Sequence, residues 1–349
     1  MSPEHKIIAG FLGIIIASLL LYPFYIRVLL KSHVLDHPDA RKFHKTPTPT
    51  LGGLLIFVLF VLGIFFVAGF KPFLLLWPFW AGILIFVALG CYDDLRQASP
   101  FLKLLVQVIV YCMLIFTGKI FVEWDILFGA SSILPIFLNQ VLTLIFMLCM
   151  VNAYNVIDGA DGVAGAVALF FLTVVSCCFY EAGALMYLTV SVMLGAAVMG
   201  FMVFNWAPAR IFMGDTGSYC IGLSCAFLTL VLLDGNQTNT GFIYEVNNPL
   251  SMLLAAFAFP IFDFTRVVLL RLWKGKHLFK ADILHVNSML MGKRWSHTQI
   301  AGSVAVFTGF IFCITKFLCL YLTDCLSLLG LFVIGFIIHF SLGYWVTQE

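Results

Sequence analysis

Acidic and amide side chains are concentrated in a few short segments of an otherwise apolar chain. Asp93 and Asp94 end one long apolar run, residues 152–162 (NAYNVIDGADG) end a second, and Asp215 precedes a third. Carboxylates are costly within a membrane, and hard cations prefer oxygen ligands. If these segments meet, they form a metal site for a charged substrate. Because the segments contain no His or Cys, the metal is expected to be Mg²⁺, with Mn²⁺ as the alternative.

The segment 152–162 has the most specific spacing of the three. Asn152, Asn155 and Asp158 recur every third residue, which keeps three oxygens near one face of a helix. The alternative is a turn that caps the next helix, but capping requires one such residue rather than several. The spacing therefore favours a functional site over a turn, with Asn152 as a candidate for substrate binding and Asp158 and Asp161 as candidates for catalysis.

Asp93 and Asp94 are adjacent at the predicted end of a helix, where neighbouring side chains point about 100° apart. One carboxylate can then lie at a phosphate or metal site while the second carboxylate orients the first. The alternative is a solvated helix end. Lys103 follows closely and suits a phosphate oxygen as a point charge. All three are candidate catalytic residues.

Asp215 stands at the predicted start of a helix, where the free backbone N–H groups can also meet anions. It is either a metal ligand or a helix cap, and we predict the metal ligand. Asn205 begins the polar stretch before it and is a candidate for substrate binding. Asp263 and Arg266 are spaced for an ion pair on one helix, and structural and functional roles remain equally open for Asp263.

The composition indicates which kind of fold must position these polar side chains. Of 349 residues, 62% are hydrophobic and 10% are charged, and the mean hydropathy is +1.07. Average soluble domains have roughly 25% charged residues, so we predict an all-α polytopic membrane protein. A net charge of +2 gives no reason to expect nucleic acid as a partner. The ten cysteines show no paired metal-binding spacing and are predicted to be small core residues.

About eleven apolar runs are long enough to cross a bilayer. They comprise residues 7–30, 51–70, 74–90, 101–117, 133–151, 163–180, 184–204, 217–233, 249–272, 300–320 and 326–345. No linker, low-complexity tract or internal repeat interrupts them, so residues 1–349 are predicted to form a single integral membrane domain. A transporter is disfavoured because many transporters are built from repeats and bind near the bilayer midplane.

The charge distribution predicts which side each loop occupies. If the N-terminus is outside, 15 of the 19 lysines and arginines lie in inner loops, which satisfies the positive-inside rule. The C-terminus is then cytoplasmic, and all the acidic segments emerge on the cytoplasmic face. The inner loops also contain Arg41, Lys42, His44 and His285, which could bind anionic membrane lipid or a polyanionic substrate. Both alternatives stay open on the charges alone, and the four are kept as candidates for substrate binding because of the family resemblance given next.

In order and type, these segments resemble the polyprenyl-phosphate N-acetylhexosamine-1-phosphate transferase superfamily. The resemblance extends from Asp36 to His285, and residues 36–44 (DHPDARKFH) with 49–53 (PTLGG) resemble its bacterial N-acetylglucosamine branch. It implies a UDP-N-acetylhexosamine donor, by default UDP-N-acetylglucosamine, an undecaprenyl phosphate acceptor and release of UMP. It also implies a bacterial inner membrane with the active site on the cytoplasmic face, and leaves a homodimer open.

The resemblance also implies roles for individual residues. Asp215 and Asn155 would hold Mg²⁺, whereas Asp93 and Lys103 would act at the lipid phosphate. Attack by the lipid phosphate itself is expected, with a covalent intermediate on Asp93 as the rival mechanism.

The chain departs from the family in a loop that usually has the pattern Asp-x-x-His-x-His-His. Here the loop has Asp282 and His285, but Asn287 and Ser288 replace the last two histidines. Asp282 is therefore kept as a substrate-binding candidate, and the identity of the donor is in question. N-acetylgalactosamine, a 6-deoxy amino sugar or a catalytically weak scaffold paralogue are the alternatives.

Overall fold

The computed structural model describes residues 2–36, 46–125, 134–238, 246–275 and 284–348. In these ranges the chain forms fourteen helices and one two-stranded antiparallel sheet. The helices are α1 Pro3–Lys31, α2 Gly52–Ala68, α3 Lys71–Leu75, α4 Trp77–Arg96, α5 Pro100–Phe116, α6 Ile136–Ile157, α7 Val163–Glu181, α8 Leu185–Asn205, α9 Gly214–Thr238, α10 Pro249–Ala256, α11 Ala258–Trp273, α12 Val286–Gly292, α13 His297–Leu318 and α14 Asp324–Gln348. The strands are β1 Leu35–Asp36 and β2 Thr48–Pro49.

The helices confirm the predicted all-α membrane protein at the level of fold class. Within the described ranges, eight are long and apolar enough to cross a bilayer, namely α1, α4, α6, α7, α8, α9, α13 and α14. The pair α10 and α11 would make a ninth span, although the two are bent by 77°. Helices α2 and α5 match the other two predicted spans. Each has 17 residues and is shorter than the eight helices named above. The count of eleven spans therefore stays a prediction.

Helix α9 lies at the centre of the bundle. Every residue from Thr216 to Leu233 is buried, and the helix packs against α2, α4, α6 and α7. Two hydroxyl groups in its middle are satisfied within the helix, since Ser224 donates to the Cys220 carbonyl at 2.8 Å and Thr229 donates to the Cys225 carbonyl at 2.9 Å. By contrast, Phe101 on α5 is 73% exposed, as expected for a side chain that faces lipid.

Two glycines allow α2 to approach the start of α9. The Gly52 and Gly53 amides donate to the carbonyls of Phe212 and Met213, each at 2.9 Å. A side chain on Gly53 would overlap the backbone of Gly217. This contact fixes the segment that leads into α9, and therefore fixes the position of the carboxylate at its first turn.

The short sheet was not predicted. Leu35 pairs with Pro49 and Asp36 pairs with Thr48 in antiparallel register. The Phe212 amide donates to the Pro49 carbonyl at 2.8 Å, which attaches this sheet to the segment before α9. The pairing brings Asp36 to the same end of the bundle as Asp215, where both line one cavity.

Candidate active site

The acidic segments predicted from the sequence meet around one cavity of about 410 Å³. It is lined by Leu35, Asp36, Thr50, Asp93, Asp94, Gln97, Asn155, Asp158, Gly159, Ala160, Asp161, Asn205, Phe212, Gly214, Asp215, Ser288, Met291 and His297. Six aspartates are among these described lining residues. A cavity with so many carboxylates requires cations, either from the protein or from a ligand.

Lys103 supplies one of these cations. Its Nζ lies 2.5 Å from Asp93 Oδ2 and 2.9 Å from Asp215 Oδ2. The lysine comes from the first turn of α5, Asp93 from the last turn of α4, and Asp215 from the first turn of α9. The other oxygen of Asp93 accepts a hydrogen bond from the Ala98 amide at 2.6 Å. Thus one ammonium group joins two carboxylates on different helices.

Asp94 holds the beginning of α9. Its carboxylate accepts from the backbone amides of Asp215 at 2.8 Å and Thr216 at 3.2 Å, and from the Thr216 hydroxyl at 2.7 Å. Gly214 beside it has φ of 72°, and a Cβ there would meet the Asp94 carboxylate. Asp94 thus caps α9 as an N-terminal carboxylate does, and it orients the backbone of Asp215.

Asn155 contacts Asp215 from α6. Its Nδ2 donates to Asp215 Oδ1 at 3.0 Å and to Ser218 Oγ at 2.7 Å. In the part of the chain that the structure describes, no three His, Cys, Asp or Glu side chains are grouped so as to hold a metal on their own. The nearby ligand atoms are all oxygens, however, which is the donor set of Mg²⁺ or Mn²⁺ rather than Zn²⁺.

Asp158 and Asp161 lie in the loop between α6 and α7 and line the same cavity. Burial, together with the negative charges of Asp215, Asp94 and Asp161, raises the pKa of Asp158 well above its usual value. Asp161 Oδ2 accepts from the Ala209 amide at 3.0 Å. The two carboxylates therefore occupy different environments, one electrostatically crowded and the other hydrogen-bonded to the backbone.

His297 lines the cavity but was missed from the sequence. It is the first residue of α13, whose start is fixed by a capping box between Ser296 and Gln299. His297 Nδ1 accepts from the Asp161 amide at 3.0 Å. The Ser-His-Thr-Gln pattern could have predicted the start of the helix, but nothing in the sequence indicates the contact across 136 residues.

The two remaining asparagine candidates have different surroundings. Asn205 Oδ1 accepts from the Gly162 amide at 3.0 Å, and its Nδ2 donates to the Ile211 carbonyl at 2.9 Å, so it connects two loops at the cavity wall. Asn152 does not line the cavity. It pairs with the buried Gln107, whose Oε1 accepts from Asn152 Nδ2 at 2.9 Å. Gln107 on α5 thus binds the amide group of Asn152, and the role of Asn152 in substrate binding stays a prediction.

His285 is held by the buried Asp263. Its Nδ1 lies 2.8 Å from Asp263 Oδ2, and the imidazole does not line the cavity. Asp263 Oδ1 accepts from Arg266 at 3.2 Å and from the Val286 amide at 3.0 Å, and lies 3.4 Å from His339 Nε2. The predicted ion pair with Arg266 is present, and the wider cluster attaches the loop before α12 to α11 and α14.

Of the two residues that replace the usual histidines, only Ser288 lines the cavity. Asn287 is 3% exposed and donates to the Ile157 carbonyl at 3.2 Å. The other predicted substrate-binding residues lie outside the described residues, namely Arg41, Lys42, His44 and Asp282.

The fold and the cavity together define a polytopic membrane protein with an acidic site that suits phosphate chemistry. Residues 76–233 match the family model described as glycosyl transferase family 4. The chain is similar to this family over that range, and its resemblance to the polyprenyl-phosphate N-acetylhexosamine-1-phosphate transferases, including the bacterial N-acetylglucosamine branch, is confirmed.

Three curated relatives align over most of the chain. The chain is 29% identical to the probable undecaprenyl-phosphate N-acetylglucosaminyl 1-phosphate transferase of Bacillus subtilis, over 94% of this chain and 89% of that protein. It is 26% identical to the undecaprenyl-phosphate alpha-N-acetylglucosaminyl 1-phosphate transferase of Escherichia coli K12, over 80% and 75%. It is 28% identical to the decaprenyl-phosphate N-acetylglucosaminephosphotransferase of Mycobacterium tuberculosis H37Rv, over 79% and 73%.

Proposed function

We propose that this protein transfers N-acetylglucosamine 1-phosphate from UDP-N-acetylglucosamine to undecaprenyl phosphate and releases UMP, as the first membrane step of a cell-surface polysaccharide. The observation that supports it best is the bridge from Lys103 to Asp93 and Asp215 at the start of a buried helix. The reaction brings two anionic phosphate groups together, so it depends on charge neutralisation and positioning. The names of the relatives support the choice of acceptor and of transferred group.

Mg²⁺ is the proposed cofactor, and Mn²⁺ would fit the same oxygen ligands. Asp215 and the amide oxygen of Asn155 would hold it. The two carboxylate oxygens of Asp215 accept hydrogen bonds from Lys103 and Asn155, and each can accept further interactions. Mg²⁺ is commonly bound by one or two carboxylates together with substrate phosphates, so a pair of protein ligands suffices. The cation supplies neutralisation of the diphosphate and stabilisation of the departing UMP.

Lys103 and Asp93 are proposed to receive the acceptor phosphate. The second pKa of a phosphate monoester is about 6, so the lipid phosphate is largely dianionic at neutral pH and can attack the sugar-bearing phosphorus with little help from a base. Both oxygens of Asp93 accept hydrogen bonds, from the Ala98 amide and from Lys103. This arrangement favours a positioning role over a nucleophilic one. Trapping a phosphorylated or nucleotidylated Asp93 would contradict it.

The cavity is proposed to face the cytoplasm of a bacterial inner membrane, with the N-terminus outside and the C-terminus inside. The lysine and arginine distribution supports this orientation. Labelling of single cysteines placed near Lys71 and near Arg96, in cells with an impermeant reagent, tests it. Labelling is expected near Lys71 only, and the reverse pattern would place the active site outside.

Two alternatives differ in the donor or in catalysis. UDP-N-acetylgalactosamine or a UDP-6-deoxy amino sugar is favoured over UDP-N-acetylglucosamine only by Ser288, which lines the cavity where the family has a histidine. A catalytically weak scaffold is the second alternative. The ion pairs of Lys103 with Asp93 and Asp215, and the contact of Asn155 with Asp215, argue against a decayed site.

Release of UMP by the purified protein tests the proposal directly. The assay contains detergent, undecaprenyl phosphate, Mg²⁺ and, in turn, each of several UDP-sugars, with EDTA as the metal control. UMP release that is metal-dependent and fastest with UDP-N-acetylglucosamine is expected. Release with another UDP-sugar would correct the donor, and no release with any of them from folded protein would favour the scaffold.

A further inference from the structure

A second cavity adjoins the acidic one, and His297 lies between them. This cavity, of about 360 Å³, is lined by Thr46, Thr48, Asp161, Ala207, Pro208, Ala209, Phe212, Ser296, His297 and Thr298. Asp161, Phe212 and His297 line both cavities. Among the described lining residues of the second cavity, Asp161 is the one carboxylate, and four others are hydroxyl-bearing side chains.

Two atoms of Asp161 face Nδ1 of His297, since its amide donates to this nitrogen and its Oδ1 lies 3.4 Å away. Because Nδ1 accepts from the Asp161 amide at 3.0 Å, a neutral imidazole in this arrangement has its proton on Nε2. Asp161 itself is fixed by the Ala209 amide, which donates to its Oδ2 at 3.0 Å. The His297 side chain is 26% exposed, so the ring remains accessible from the cavities.

No other described lining residue of the acidic cavity is a histidine. Ser288 replaces one of the usual imidazoles there, Asn287 is turned towards the Ile157 carbonyl, and His285 is bound to Asp263. The imidazole of His297 reaches the cavity from a different element, the start of α13. It can therefore supply a hydrogen-bond donor that the loop before α12 does not present.

We propose that the Nε2–H of His297 donates a hydrogen bond to the sugar-nucleotide donor, and that Asp161 is the residue that positions this imidazole. The inference rests on the proposed function. The UDP-sugar, rather than the lipid phosphate, is expected beside His297. The UDP-sugar combines a charged diphosphate with neutral, hydroxyl-rich groups. An acidic cavity joined to one that is lined by four hydroxyl-bearing side chains and a single carboxylate matches that combination, whereas an isoprenoid chain requires an apolar groove.

Substitution of His297 by asparagine or by glutamine distinguishes contact with the UDP-sugar from support of the loop that contains Asp161. His297→Asn keeps a polar atom near the position of Nδ1, which can still accept from the Asp161 amide, but it has nothing at the position of Nε2. His297→Gln does the opposite, because its amide nitrogen lies near the position of Nε2. His5→Gln is the matched control, since His5 is in the first turn of α1 after a serine cap and lines neither cavity.

Initial rates of UMP release are measured with each substrate varied in turn, and thermal unfolding is recorded for each variant. His297→Asn is expected to unfold like the wild type and to raise the KM for UDP-N-acetylglucosamine about tenfold or more. His297→Gln is expected to recover most of that loss. The KM for undecaprenyl phosphate is expected to stay unchanged in both, and His5→Gln should match the wild type throughout.

Several results would contradict the inference. A wild-type KM for the donor in His297→Asn, or a loss confined to His297→Gln, would mean that His297 only supports the Asp161 loop. A rise in the KM for the lipid alone would assign the imidazole to the acceptor. If the wild type releases no UMP, the proposed function fails, and calorimetric binding of UDP-N-acetylglucosamine to the same variants still tests His297. Failure of the wild type to bind it would overturn both statements.

Discussion

Replacing Lys103 by methionine removes the cation between two carboxylates and keeps much of the side-chain length. Lys103 donates to Asp93 at 2.5 Å and to Asp215 at 2.9 Å. Hydrogen bonds to charged groups contribute about 1.5–3 kcal/mol each, which would total between about 3 and 6 kcal/mol. The lysine side chain is 26% exposed and that of Asp215 is 25% exposed, so solvent screening favours the lower value, about 3 kcal/mol. If these hydrogen bonds stabilise the transition state by this amount relative to the ground state, the rate of Lys103→Met is about 100-fold lower than that of the wild type.

The assay is the initial rate of UMP release in detergent, with thermal unfolding measured on the same preparations. Lys103→Met with Asp93→Asn is the informative double variant, because removing one carboxylate relieves the repulsion left by the lost lysine. Compared with Lys103→Met alone, the double variant should have a higher melting temperature but the same low rate of UMP release. Lys71→Met, on the exposed helix α3, is the control and should leave both unchanged. A rate in Lys103→Met within about threefold of the wild type would refute the proposed role of this ammonium group.

Substitutions at five other positions test separate parts of the site. Asp215→Asn should abolish UMP release from folded protein, because a neutral amide is a much poorer Mg²⁺ ligand; a wild-type rate would remove Asp215 from the metal site. Asp94→Ala should lower the free energy of unfolding by about 2 kcal/mol, since it deletes the cap of α9, and Asp94→Asn should recover part of this in thermal unfolding. Asp158→Asn should raise the melting temperature at pH 8: the pKa of Asp158 is raised, so its ionisation destabilises the fold as pH increases through the folded-state pKa. That gain should shrink as the pH is lowered, and a gain independent of pH would contradict the reasoning. Ser288→His, in the cavity wall, should change the preference among UDP-sugars, whereas Asn287→His should lower the melting temperature because Asn287 is buried; the reverse pattern would exchange the two roles.

The sequence predicted the apolar helices well because their lengths follow from hydropathy alone. It also predicted that Asp93, Asn155 and Asp215 would meet, since their segments end apolar runs on one predicted face. It did not predict the bend between α10 and α11, near Phe257. Pro260, in the first turn of α11, has no N–H to donate to the carbonyl four residues earlier and cannot continue a helix from α10. The break therefore had a local signal, which a reading by hydropathy alone does not use.

The surroundings of three site residues could not be predicted, for one physical reason. Asn152 was grouped with its helical neighbours by spacing, and Gln107 on another helix binds its amide group. His285 was predicted to bind the substrate, and its Nδ1 is held by the buried Asp263. The contact between His297 and Asp161 had no local signal. In each case a partner distant in sequence decides where the side chain points, and periodicity contains no information about that partner.

The hydroxyl groups of α9 have a consequence for how the protein enters its membrane. A helix that is surrounded by protein at the end of folding must first pass through lipid, where unsatisfied polar groups are costly. Ser224 and Thr229 each donate to a carbonyl one turn earlier in their own helix. The polar groups in the middle of α9 are therefore satisfied before any neighbour arrives, and this central helix can be inserted by itself and be enclosed later.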